Sequence, residues 1–157
     1  MSNAKLLKQC QEEIAPHLQR LTKRCVAELR AIIKGKQPAR TYLLMFEYDS
    51  MEFGREFPVM LWWMDRTGLD LRHKELLGDV KFTVPEEMLG RYESEDMDPD
   101  PYRLTGRLFI KWFTDCWQAA GGASCTLPGY LMHHDGGTPH DLKRRGKVSP
   151  EPVFPDA

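Results

Sequence analysis

The residues best suited to chemistry are concentrated in one stretch near the C-terminal end of the chain. Three of the five histidines fall within eight residues, at His133, His134 and His140, with Asp135 between them. Imidazole and carboxylate are ligands that zinc and iron accept in proteins. A loop after Asp135 would fold His140 back toward the other three residues. One alternative is therefore a divalent transition-metal site, such as zinc, in a metal-dependent hydrolase.

The spacing of these histidines does not match the helical metal motif H-E-x-x-H, in which both imidazoles share one face. Adjacent residues of a strand point to opposite faces, so His133 and His134 can hold one ion only if the strand has already ended. The competing interpretation is structural. It consists of a strand end, a Gly-Gly turn and a short basic helix opened by a capping box at 138–141 and stopped by Gly146.

Carboxylates form a second set of candidates. Glu47 lies between Phe46 and Tyr48 in a strand-like segment, and Asp49 follows on the same face. A carboxyl group with apolar neighbours can serve as a general acid or base. Glu47 and Asp49 are therefore the catalytic candidates, although a strand end that reaches water explains them as well.

Charge is strongly segregated along the 157 residues, although the net charge is only −1. Residues 1–40 carry +6, residues 41–100 carry −9, and residues 101–157 carry +2. Such segregation steers charged partners. We expect the acidic middle to bind another protein, a basic one in the simplest case. The residues expected to carry this contact are Glu52, Glu56, Glu93, Glu95, Asp96 and Asp98.

Several classes of protein are disfavoured. The N-terminus lacks the unbroken apolar stretch of a signal peptide, and no run approaches the roughly 20 apolar residues that span a bilayer. Near-neutral charge argues against a nucleic-acid partner. The four cysteines form no C-x-x-C pair, which favours a reducing compartment. We expect a soluble cytoplasmic protein with no membrane partner and, unless the histidines bind metal, no cofactor.

Two segments have the apolar periodicity of helices. Over residues 5–34 an apolar position recurs every three or four residues, from Leu7 to Ile32. Pro16 interrupts this pattern and predicts either a kink or a break, and a break would leave two nearly collinear helices. This stripe is expected to cover a sheet, although a homodimer seam is the alternative. The second helix spans 101–120, opened by Asp100-Pro101 and ended by Gly121-Gly122.

Strand-like segments lie between and after these helices. The apolar and aromatic residues at 42–48 and 57–64 predict two strands that form an antiparallel hairpin. Alternating apolar residues at 80–84 predict a third strand, and residues 127–133 predict a further strand. Trp62 and Trp63 must face opposite ways, so we expect each to lie beneath a different helix, the alternative being one exposed Trp.

The order of elements predicts a single-domain α+β protein, in which a small, mainly antiparallel sheet is packed by the two helices. The domain is expected to span 1–147, with an extended or disordered tail at 148–157. The leading functional hypothesis is an adaptor, inhibitor or immunity-type protein that acts by protein binding. The alternative is the metal-dependent hydrolase.

Overall fold

A computed structural model describes residues 3–48, 59–78 and 101–157 of the chain. Within them lie two helices, α1 (Asn3–Lys34) and α2 (Pro101–Ala119), and a 3-10 turn at Gly122–Ser124. The strands are β1 (Leu43–Tyr48), β2 (Val59–Met64), β3 (Asp70–Leu76), β4 (Gly129–His133), β5 (His140–Asp141) and β6 (Lys147–Val148). The predicted single-domain α+β fold is confirmed.

One six-stranded sheet has the order β3-β2-β1-β4-β5-β6. Its neighbouring strands are antiparallel except for β1 and β4, which run parallel. The predicted hairpin of β1 and β2 is therefore confirmed. The core-facing row crosses the three central strands, where Phe46 lies opposite Leu61 on one side and Leu131 on the other, all fully buried.

Both helices pack on this one face of the sheet. Trp63 lies there in the core, and its indole Nε1 donates a hydrogen bond of 2.6 Å to Gln37. Trp62 points to the opposite face and contacts the ring of His73 at 5.0 Å between centroids. The expectation that the two tryptophans lie beneath different helices is therefore wrong, because both helices share the face that Trp63 occupies.

The apolar stripe of α1 is buried inside the chain's own core. Ile14, Leu18, Cys25, Leu29 and Ile32 are all less than a tenth exposed. The helix stays continuous through Pro16, which lies on its exposed side. The stripe thus has the covering role predicted for it, and oligomeric state stays an open prediction.

Two strand assignments differ from the sequence expectation. Strand β3 lies in a segment for which the sequence predicts no strand, and its residues from Arg72 to Glu75 are all exposed. The basic helix expected after Thr138 is instead the tight β5–β6 hairpin. The Asp141 carboxylate accepts the amide of Lys143 at 2.9 Å, and its carbonyl accepts the amide of Gly146 at 2.9 Å. The side chain that suggested a helix cap therefore closes a turn.

The strand expected at 80–84 lies outside the described residues.

Beyond β6, residues 149–157 have an irregular backbone, and Asp156 ties them to the β2–β3 turn. Its amide donates to the carbonyl of Arg66 at 3.1 Å, and its carboxylate accepts from the guanidinium of Arg66 at 2.9 Å. The boundary between a domain at 1–147 and a tail stays a prediction. Among the described helices, none combines the length and apolar character needed to cross a bilayer.

The two helices are joined by one specific polar contact. The indole Nε1 of Trp112 on α2 donates a hydrogen bond of 2.9 Å to the hydroxyl of Thr22 on α1. Trp112 is 6% exposed, so water cannot readily replace this partner. An unpaired buried donor costs about 1–3 kcal/mol.

We therefore expect Thr22→Val to lower the free energy of unfolding by about 1–3 kcal/mol, because valine keeps the volume but removes the acceptor. Urea denaturation followed by tryptophan fluorescence measures the change. Thr22→Ser is the matched control, since it keeps the hydroxyl, and it should lose clearly less. Equal losses in the two variants would show that the methyl group, rather than the hydrogen bond, carries the contact.

Candidate metal centre

Strand β4 ends at His133, and the chain turns immediately afterwards. The amide of His134 donates to the carbonyl of Tyr48 on β1 at 2.8 Å, which extends the parallel pairing by one residue. The amide of Gly136 then donates to the carbonyl of His133 at 2.9 Å and closes the turn. Since the strand has ended, the condition under which both histidines can face one ion is met.

The three side chains converge in this turn. Nε2 of His134 lies 3.0 Å from Oδ1 of Asp135, and Nδ1 of His133 lies 3.9 Å from Oδ2 of the same carboxylate. One ligand atom from each residue can be chosen so that all three lie within 4.8 Å of one another. His133 is half-buried, while His134 and Asp135 face solvent.

These separations are close to those of a bound metal. Zinc bonds to imidazole and carboxylate of about 2.0–2.1 Å in tetrahedral geometry put two ligand atoms about 3.3 Å apart. The distances of 3.0 and 3.9 Å run to different oxygens of Asp135, and the whole group spreads over as much as 4.8 Å, so the side chains would have to draw together to accept an ion. The Nδ1 of His133 also accepts the amide of Asp135 at 3.1 Å, so an ion bound at Nδ1 would compete for the same lone pair.

An aromatic stack positions the ring of His133. Tyr48 meets it edge-on with centroids 5.2 Å apart, and Tyr48 in turn stacks on Phe109 of α2 at 4.8 Å. Burial raises the pKa of the Tyr48 phenol, because the phenolate would lose its hydration. The half-buried histidine is thus held by the core, whereas the other two ligands come from an exposed turn.

His140 lies apart from this group. It pairs with Leu131 in the sheet, and its Nδ1 donates a hydrogen bond of 2.7 Å to the carbonyl of Gly146. Its ring lines a cavity between α2 and the β5–β6 turn. Of the four metal ligands predicted from sequence, the structure brings together His133, His134 and Asp135.

The other predicted site residues are only partly described. Glu47 is half-buried on β1, on the face opposite the helices, where its register partners are Met60 and Met132. Asp49, its expected partner in acid–base chemistry, lies outside the described residues. So do the six acids expected to bind a protein partner: Glu52, Glu56, Glu93, Glu95, Asp96 and Asp98.

Sequence reasoning missed the cationic side chains of α2 that line the cavity beside His140. Arg107 and Lys111 lie one helical turn apart, and Arg145 from the β5–β6 turn joins them. The available signal was their four-residue spacing next to a buried aromatic stripe. Among the described cysteines, Cys25, Cys116 and Cys125 are buried. A hydrogen bond with Cys116, together with burial, raises the pKa of the Cys25 thiol.

No protein-family model, curated protein or solved structure matches this chain. Its function is therefore inferred from the geometry of its own residues.

The buried Tyr48 phenol predicts a loss of stability at alkaline pH. Its folded-state pKa lies above the usual value of about 10, so its contribution is complete below pH 10 and falls as pH rises toward the folded-state value. Tyr48→Phe keeps the ring and should reduce the drop in urea midpoint between pH 8 and pH 11. At pH 8 the two proteins should differ little. An unchanged pH dependence in the variant would contradict the assignment.

Proposed function

We propose that the chain binds a divalent transition-metal ion, zinc in the simplest case, through His133, His134 and Asp135. One observation carries the proposal: these residues offer three ligand atoms within 4.8 Å of one another at the end of a strand. The donor set of two imidazoles and one carboxylate suits zinc. The carboxylate also offsets part of the charge of the ion.

The arrangement resembles a catalytic site more than a structural one in its ligand number. Structural zinc sites usually use four protein ligands, whereas catalytic sites use three and leave one position open. The exposed side of this turn leaves such a position accessible, since the side chain of Asp135 is 70% exposed and that of His134 is 43% exposed. When bound, the ion would supply the Lewis acidity that metal-dependent hydrolysis requires.

Zinc titration by isothermal calorimetry tests the proposal directly. We expect one ion per chain, and His134→Ala or Asp135→Ala should weaken binding about tenfold or more. His140→Ala and His73→Ala are matched controls, since they remove imidazoles outside the group and should stay within about twofold of the parent protein. No saturable binding, or an equal loss in His140→Ala, would refute this ligand set.

A nuclear magnetic resonance measurement locates the ion independently of affinity. The backbone amide of Asp135 donates to Nδ1 of His133, so an ion bound by this imidazole and by the Asp135 carboxylate should change the ¹H and ¹⁵N shifts of that amide. Gly78 follows β3, the strand at one edge of the sheet, and the ¹H and ¹⁵N shifts of its amide should not change. Shifts at Gly78 as large as those at Asp135 would indicate non-specific binding.

The hydrolase activity is the finer part of this proposal. We expect zinc-dependent turnover of an activated ester or phosphodiester, such as a p-nitrophenyl compound, that His134→Ala abolishes while His73→Ala retains it. Zinc binding without such turnover would leave a metal-binding protein and reject the hydrolase. Protein binding through the acidic middle stays a prediction, because its residues lie outside the described part.

A further inference from the structure

An open cavity of about 620 Å³ lies between α2 and the turn that joins β5 to β6. Its volume falls in the range of small-molecule sites in proteins. The residues that argue for a ligand class are Arg107, Ile110, Lys111 and Thr114 from α2, with His140 and Arg145 from the hairpin.

Positive charge predominates in this cavity. Three permanent cations face a single acid, Asp115, and that acid is already paired with Lys111 at 2.9 Å. In the described part of the chain, the guanidinium groups of Arg107 and Arg145 take part in no ion pair. Two planar guanidinium groups in one concave site therefore remain available to bind an anion.

The hairpin side of the cavity is fixed by hydrogen bonds. His140 donates through Nδ1 to the carbonyl of Gly146, which fixes the orientation of its ring against the turn. Asp141 closes the turn through its carbonyl and its carboxylate. Arg145 adopts a left-handed backbone conformation with φ of 57°, which is uncommon for a residue with a side chain.

The helix side is equally defined. Thr114 is 4% exposed, and its hydroxyl donates to the carbonyl of Ile110 at 2.6 Å. Gly146 lies so close that an added Cβ would come within 3.0 Å of this hydroxyl. The turn is therefore packed directly on α2, and the cavity has two ordered walls.

We propose that this cavity binds a small organic phosphate. A guanidinium presents two parallel N–H donors that match phosphate oxygens, and two such groups suit a dianion better than a single carboxylate. The described lining residues include no phenylalanine, tyrosine or tryptophan ring on which a nucleotide base would stack, and the His140 ring is tied to the carbonyl of Gly146, which favours a small phosphate over a nucleic-acid strand. This site does not depend on the metal centre, because it uses none of its three ligands.

Calorimetric titration with pyrophosphate and with phenyl phosphate tests the proposal. Arg107→Gln and Arg145→Gln should each weaken binding about tenfold, since each removes charged hydrogen bonds to the phosphate. Arg144→Gln is the matched control. It removes the same charge from the neighbouring position, which does not line the cavity, and should change affinity less than about twofold.

Further measurements separate this site from general electrostatic attraction. Arg145→Lys keeps the positive charge but loses the paired N–H donors of the guanidinium, so it should also weaken phosphate binding. This variant replaces Arg145→Gln in the test if the glutamine variant does not fold. The Gly146 amide should shift on adding phenyl phosphate. An equal loss in Arg144→Gln, citrate binding as tight as phenyl phosphate, tighter binding of a single-stranded oligonucleotide, or no saturable binding would each overturn the proposal.

Discussion

The packing of α2 on the central strand β1 is the contact on which both candidate sites depend. Phe46 in the middle of β1 meets Phe113 at 5.1 Å and Trp117 at 5.6 Å between ring centroids. All three rings are fully buried. Aromatic pairs at these separations add to the large apolar area that each ring removes from water. Because β1 lies between β2 and β4, this contact joins the hairpin to the C-terminal strands.

The rotation of α2 about its axis then determines which side chains reach each site. Its buried stripe runs through Phe109, Phe113 and Trp117. Phe109 stacks on Tyr48, and Tyr48 in turn positions His133. The neighbouring stripe, with Arg107 and Thr114 two turns apart, faces the β5–β6 hairpin. If α2 were rotated about its axis by one residue position, different side chains would face Tyr48 and the β5–β6 hairpin, because residues three or four apart share a face of the helix.

The sequence allowed the elements with strong apolar periodicity to be predicted, and these are the elements that bury most. Helices α1 and α2, the β1–β2 hairpin and β4 all follow from it. Strand β3 could not be found this way, because most of its residues are exposed and leave no alternating pattern. The turn at Asp141 was misread because the same carboxylate chemistry caps helices and closes tight turns, and only the backbone geometry distinguishes them.

The residue types of the candidate metal site could be predicted from the sequence, but which of the four predicted ligands come together could not. His133, His134 and Asp135 meet because the strand ends between the two histidines, which a pattern of residue types cannot locate. His140 is close in sequence, yet Gly136 and Gly137 both take φ values near 100°, and β5 returns antiparallel beside β4. The reversal pairs His140 with Leu131, and the carbonyl of Gly146 takes one of its ring nitrogens. The same histidine cluster is thereby divided between an exposed turn suited to a cation and a concave cationic cavity suited to an anion.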